Sequence, residues 1–372
     1  MTQPARQRLF TPGPLNTSEA VRSAMLRDMG SRDPDFLEIV RTIRRKLLAI
    51  ASARPQDTAV LVQGSGTFAI ESAIGSLLPK DGKLLVPVNG AYGQRMAAIA
   101  RRLGIAVETI ECPETEPNDP AAVAARLATD AAITHVAAVH CETSSGVMNP
   151  IAEIGAVVAA AGRQFLVDAM SSFGGLPVDI SGWRIDCLVS SANKCLEGAP
   201  GLAFAIVRTT SLEASRGCAR SLSLDLHAQW QELERSGQFR FTPPTHVILA
   251  LAAALDALAR EGGATAREQR YRHRHRMVMT GMEAMGFQPG LRPELRSPII
   301  TAFHTPADPR FDFGVFYQQL VRRDLLIYPG KLSGIDSFRI GTIGALTTGD
   351  FTDLLDGIRA ALDAMNVVMH RP

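Results

Sequence analysis

Five short stretches carry the side chains whose types and spacing suggest chemistry. Gln63-Gly64-Ser65-Gly66-Thr67 closes an apolar run and opens a helical pattern. Free N–H groups at a helix start, an approach opened by glycine and the hydroxyls of Ser65 and Thr67 make a phosphate cradle there, with a plain tight turn as the blander reading. The loop lacks the lysine of a P-loop. Gly64, Gly66 and Ala69 match the loose dinucleotide pattern, but that reading needs an acidic residue at the end of the next strand, where Asn89 stands. Asn89-Gly90-Ala91-Tyr92-Gly93 offers an aromatic ring able to cover a planar ligand. His140-Cys141-Glu142-Thr143-Ser144-Ser145-Gly146 gathers hydrogen-bonding groups where another apolar run stops. Asp168 ends the run "FLVD", where a carboxylate is costly to bury without a cation. Lys194 follows "CLVSSAN" among small uncharged residues. Desolvation lowers an ammonium's pKa, and a partly neutral amine attacks a carbonyl to form a Schiff base. An ordinary surface lysine, or a plain Lys194–Asp168 ion pair, is the alternative.

Cradle, ring, buried carboxylate and placed lysine, in this order along one chain, together point to pyridoxal 5′-phosphate. Its aldehyde bonds a lysine, and its pyridine nitrogen pairs with an acid.

The elements that must position these groups follow from the hydropathy pattern. "TAVLVQG", "KLLVPVNG", "THVAAVH", "FLVDAM" and "CLVSSANK" are short, continuously apolar and separated by helical patterns, as expected of strands buried on both faces of a largely parallel sheet. "GLAFAIVR" follows a turn too short for a crossover and is expected to run antiparallel. Beyond Thr245 two long helices precede a small α/β pattern. The run "RYRHRHR" reads as a solvated helix face. With 372 residues, 46% hydrophobic, and a net charge of +2, the chain can bury a large core and gives no reason to expect a nucleic acid or a membrane partner. No apolar run approaches the roughly twenty residues of a membrane span. Five scattered cysteines suggest reduced thiols, a cytoplasmic setting and no metal site, with Cys141 and Cys195 in packing roles.

Over nearly its whole length the sequence resembles the fold-type I, class V aminotransferases, on "LFTPGPLNTSEAVRSAMLRDMGSRDPDF", "VQGSGTFAIESAIGSLLP", "NGAYGQRM", "HCETSSGVMNP", "DAMSSFGG", "SSANKCLEGAPG", "RFTPPTHV" and "FRIGTIG". The resemblance implies an α/β fold: a mostly parallel seven-stranded sheet in a large domain (15–262) and a small C-terminal α/β domain (263–372), with segment 1–14 packing near the latter. It implies that Lys194 is the Schiff-base lysine and Asp168 the partner of the pyridine nitrogen, with Tyr92 covering the ring. Ser65, Gly66 and Thr67 would hold the phosphate and Thr143 or Ser144 would lie near the ring hydroxyl. Thr242 or Thr245 of a neighbouring subunit would complete the phosphate site, which makes the protein a homodimer with its sites at the interface. Arg339 would bind the substrate carboxylate in a bidentate fork. Arg32 and Asn16 are the further candidate substrate contacts, Arg32 being equally readable as a helix-flanking surface residue. Glu197, three residues past the lysine, either points away or shifts its pKa.

The activity implied is transfer of an amino group from an amine donor to a 2-oxo acid. The nearest branch uses 2-aminoethylphosphonate and pyruvate; alanine or serine with glyoxylate is the alternative. A lyase or desulfurase would need a mobile cysteine, for which Cys218 is the loop candidate, and a non-catalytic cofactor-binding protein would not need Lys194, Asp168 and Arg339 together.

Overall fold

Apolar runs that cannot face water on either side must stack edge to edge under helices, and seven strands do so. They are β1 Asp57–Gln63, β2 Lys83–Val88, β3 Ala106–Glu111, β4 Ile133–Val139, β5 Gln164–Asp168, β6 Cys187–Ser191 and β7 Leu202–Arg208. The computed structural model describes residues 6–369; the outermost parts of the expected N-terminal segment and small domain, 1–5 and 370–372, lie outside the described residues. The strands order as β1-β7-β6-β5-β4-β2-β3. As expected, β7 runs antiparallel to both neighbours, with Phe204 opposite Leu61 and Ser190. The other pairings are parallel. The strand not marked by an apolar run is β3. It is the sheet edge, none of its residues is buried, and Glu108 on it pairs with Lys83 and Arg126.

Helices cover both faces, and one core cluster runs from Phe36 to Leu258. A second gathers Val278 to Leu362 around a three-stranded antiparallel sheet of Ile300–His304, Ser337–Gly341 and Tyr328–Pro329. Phe10 belongs to this second core. Arg8–Leu9 pairs in parallel with Leu325–Leu326, and the Phe10 ring meets Phe351 edge-on at 5.2 Å. The segment then crosses toward the end of β6, where the Pro12 carbonyl meets Lys194.

The basic run lies in the helix Gly263–Ala284 and is only partly solvated. Tyr271 and Arg274 are buried and Arg270 is half-buried, while Arg272, His273 and Arg276 are exposed. The expected solvated face is corrected for a physical reason: acceptors on other elements draw these groups inward. The Glu197 carboxylate accepts from Arg270 at 2.9 Å and Tyr271 at 2.6 Å, and the Gly344 carbonyl accepts from Arg274 at 3.0 Å. Buried charges matched in this way are tolerated where unmatched ones are not.

The helix Ile151–Ala160 packs so closely on the turn at Trp183 that a Cβ on Gly155 would collide with the Trp183 carbonyl oxygen. Alanine gains about 1 kcal/mol of helix propensity, but overpacking against backbone costs about 1–3 kcal/mol. Gly155→Ala is therefore expected to lower the melting temperature by a few degrees in a thermal denaturation scan.

Candidate active site

In open α/β sheets ligands bind beyond the carboxyl ends of the strands. A cavity of about 210 Å³ opens there. Four strand ends build its walls: Ser65, Gly66 and Thr67 after β1, Tyr92 and Arg95 after β2, Asp168 and Ser171 at the end of β5, and Ser191, Asn193 and Lys194 at the end of β6. A larger hollow, about 460 Å³, lies by His135, Gln164 and Cys187 at the opposite strand ends, and holds none of these groups. Size alone does not select the site. Cys218 lines that larger hollow and not the cavity at Lys194.

The helix Gly66–Leu77 starts at the cavity. Its N-cap Ser65 makes no side-chain cap bond, and while Phe68 N donates to the Ser65 carbonyl, the N–H groups of Gly66 and Thr67 remain available to an anion. Gly66 leaves room for the Met170 side chain, whose sulfur a Cβ would meet. Arg95 lies three residues after Tyr92 on the next helix, and its Nη1 donates to the Thr67 hydroxyl at 3.2 Å. Glu142, fully buried, accepts from the N–H groups of Tyr92 at 3.1 Å and Gly93 at 3.4 Å, and from the Ser144 hydroxyl at 2.5 Å. That carboxylate anchors the start of the helix bearing Tyr92, and a Cβ on Gly90 would come within 2.5 Å of it. Burial raises its pKa while these donors oppose the rise.

Asp168 is buried, and among the described residues no cationic side chain pairs with it. Burial pushes its carboxyl up to about 6, opposed by the Met170 N–H that Oδ1 accepts at 2.9 Å. Lys194 is the reverse case. Burial lowers its pKa, Tyr92 and Asp168 pull it back up, and Arg339 adds to the lowering. Its Nζ donates to the Pro12 carbonyl at 2.6 Å, and a Cβ on Gly13 would lie 2.7 Å from it. Glu197 turns away from the cavity, held by Arg270 and Tyr271.

Arg339 is buried on the strand Ser337–Gly341, and its donors reach only carbonyls, Pro329 at 3.0 Å and Thr143 at 2.8 Å. No carboxylate pairs with it among the described residues, and burial lowers its pKa. A buried guanidinium so placed has the chemistry to hold an anion, although Arg339 is not among the residues that line the cavity. The Thr143 hydroxyl is buried with no partner, while Ser144 is bound to Glu142. Asn16 is engaged elsewhere: its Oδ1 accepts from Leu9 N at 2.7 Å and its Nδ2 donates to the Gln7 carbonyl at 2.8 Å, bracing the N-terminal segment. Arg32 is exposed in the turn before the helix Pro34–Ile50. Thr242 and Thr245 do not line the cavity of their own chain.

The residues present fit pyridoxal phosphate: a donor-lined cradle with a cation, an aromatic wall, a buried carboxylate lacking a positive partner and a desolvated amine. The residue types in the sequence did not single out Arg95, Glu142, Ser171, Ser191, Asn193 or the Pro12 carbonyl. Only Arg95 carried a usable signal, its three-residue spacing from Tyr92 on a helix.

The aminotransferase class-V family matches residues 16–310. The chain belongs to the class-V aminotransferases. The 2-aminoethylphosphonate–pyruvate transaminase of Syntrophobacter fumaroxidans is 52% identical over 359 residues, 96% of each chain. That of Klebsiella pneumoniae subsp. pneumoniae is 49% identical over 356 residues, 95% of this chain and 97% of the other. Among solved structures, the pyridoxamine-pyruvate aminotransferase of Mesorhizobium loti superposes with a TM-score of 0.89 at 27% identity, over 99% of this chain and 95% of that one. The architecture of this aminotransferase is the fold-type I arrangement expected from its sequence. No helix among the described residues is long and apolar enough to cross a membrane.

The raised pKa of Asp168 has a consequence for stability. The folded chain holds this proton more tightly than the unfolded chain, whose value is near 3.8. Ionisation therefore subtracts stability as pH rises from about 4 to about 6, and subtracts none at lower pH. Asp168→Asn keeps an oxygen for the Met170 N–H and removes that cost. In protein dialysed free of pyridoxal phosphate, the variant is expected to be more stable than wild type by about 1–3 kcal/mol at pH 8, with the gap closing toward pH 4 in denaturant titrations.

Proposed function

We propose that this aminotransferase moves the amino group of 2-aminoethylphosphonate to pyruvate, giving 2-phosphonoacetaldehyde and L-alanine, with pyridoxal phosphate as its cofactor. Two relatives that share about half of its residues over nearly their whole length carry that activity in their names. The observation that carries the reading on this chain is the buried Arg339, unpaired with any described carboxylate, whose charge acts on the desolvated Lys194. The Thr143 carbonyl that Arg339 holds follows Glu142, whose carboxylate anchors the helix of Tyr92, which ties the guanidinium to the wall of the amine's cavity.

In this reading Ser65, Gly66, Thr67 and Arg95 hold the cofactor phosphate, Tyr92 covers the ring, and Thr143 serves the ring hydroxyl. Ser144 acts through Glu142. Thr242 and Thr245 lie outside their own cavity, which supports a homodimer in which each subunit completes the other's phosphate site. Asn16 braces the strap over Lys194, and Arg32 is a contact for an anion at the mouth of the assembled site. Five cysteines without a disulfide support a reducing, cytoplasmic setting.

Pyridoxal phosphate supplies an aldehyde that takes up the amino group and a ring that spreads the electrons released at the substrate carbon. Asp168 keeps a proton on the ring nitrogen by offering it the negative partner that this buried position otherwise lacks. Lys194 Nζ, released from the Pro12 carbonyl, would take the proton from the carbon that bears the amine and give it, as a general acid, to the cofactor carbon that has received the amino nitrogen. Burial lowers its pKa, which favours the neutral amine that a base requires. Arg339 holds the phosphonate in one half-reaction and the carboxylate in the other, so both reacting carbons are presented to the same amine.

Adding 2-aminoethylphosphonate to the cofactor-loaded protein is expected to bleach its visible absorption band, and pyruvate to restore it. A response to alanine or serine alone would move the donor to an amino acid and overturn the reading. Lys194→Ala is expected to show no turnover. Arg339→Ala removes a buried charged partner worth about 2–5 kcal/mol. It should lower kcat/KM by at least about thirtyfold for both the phosphonate and pyruvate in steady-state assays.

A further inference from the structure

Tyr92, in the cavity wall, has two cations against its ring. The guanidinium carbon of Arg95 lies 4.9 Å from its ring centroid and Lys331 Nζ lies 5.5 Å from it. Arg95 is turned to the phosphate cradle through Thr67. Lys331 has no comparable assignment: among the described residues its ammonium forms neither an ion pair nor a hydrogen bond, and its side chain is exposed.

The same hairpin carries Lys331 and Arg339. Tyr328 lies opposite Arg339, Gly330 N donates to the Ser337 carbonyl at 2.8 Å, and Arg339 Nε donates to the carbonyl of Pro329, two residues before Lys331. The loop 330–336 is pinned to the large sheet's side of the molecule. Ser333 donates to Glu114 from its backbone N at 2.7 Å and from its hydroxyl at 3.1 Å. Lys331 is therefore held over a wall of the cavity by a rigid strand on one side and a two-bond clasp on the other.

Resting on the substrate reading above, we propose that Lys331 is the second cation of the substrate anion site, added to Arg339 to match a phosphonate. A phosphonate, like a phosphate monoester, approaches two negative charges near neutral pH, whereas a carboxylate carries one. The planar fork of Arg339 suits both anions. A single buried guanidinium leaves the second charge of the phosphonate unmatched. An ammonium on a flexible four-carbon stem can reach that charge when the phosphonate is present and return to water when the carboxylate replaces it. This makes Lys331 a specificity residue for the donor, with little effect on the acceptor.

The test measures half-reactions of the holoenzyme, following the visible band with 2-aminoethylphosphonate, with L-alanine as the carboxylate donor, and with pyruvate. Lys331→Met is expected to raise the apparent dissociation constant for the phosphonate about three- to fivefold, as loss of one exposed charge contact should. Values for L-alanine and pyruvate are expected to stay within about twofold, and Lys331→Arg is expected to restore most of the phosphonate affinity. The wild-type advantage should shrink as pH falls below about 6, where the phosphonate loses its second charge. Equal weakening of the phosphonate and alanine, or no change in either, would overturn the assignment while leaving the donor intact. A wild-type enzyme that the phosphonate does not discharge would overturn the substrate reading itself, and this inference with it.

Discussion

A carboxylate buried at the end of a strand with no cation beside it is the constraint around which this molecule is organised. Asp168 lines the cavity yet is only 5% exposed, and the Met170 N–H alone does not compensate its charge. Arg339 presents the same problem with the opposite sign, held by carbonyl oxygens that cannot neutralise it. Lys194 lies between these two requirements, feeling both of them. Each group is individually unfavourable where it stands, and a ligand of matching chemistry, as proposed, would relieve it. Strain of this kind persists only where the surrounding fold over-determines it.

Much of the remaining structure supplies that rigidity. Glu142 grips the start of the helix that presents Tyr92, and Gly90 makes room for it. The turn that bears Lys194 is fixed from the other side. Arg267 donates to the Cys195 carbonyl at 2.8 Å, and Glu197 is bound by Arg270 and Tyr271. The same helix reaches the carbonyls of Gly344 and Leu346, just past the strand of Arg339. One helix therefore braces both the reactive amine and the anion fork, and their separation is set by a buried network instead of by either loop.

The large sheet was legible because six of its strands are continuously apolar, a pattern that periodicity reads directly. The edge strand Ala106–Glu111 was not, since an edge has water on one side and its charged side chains hide the pattern. At the site, Lys194, Asp168 and Tyr92 were legible because side-chain chemistry at strand ends is visible in a sequence. Pro12 was not, because it contributes a backbone carbonyl, which every residue has. The basic run on Gly263–Ala284 was misread for a related reason: spacing describes a helix's own faces, while Glu197, which holds both Arg270 and Tyr271, is more than seventy positions away. Asn16 has the right type for a substrate contact, yet its amide is engaged by the backbone of its own segment.

The strap over Lys194 has a consequence for how the enzyme is made. The contact between Lys194 and Pro12 spans 182 positions, and the strap itself is anchored by pairing Arg8–Leu9 with Leu325–Leu326. During synthesis, residues 8–14 emerge well before the strand they dock on. Non-local pairing of this kind is slow to form and leaves intermediates exposed until the late segment is available. The roof over the lysine is therefore among the last parts of the molecule to close, although it is translated well before the strand it docks on. A partly made chain can assemble the sheet and its strand ends yet still present an open amine to the cell.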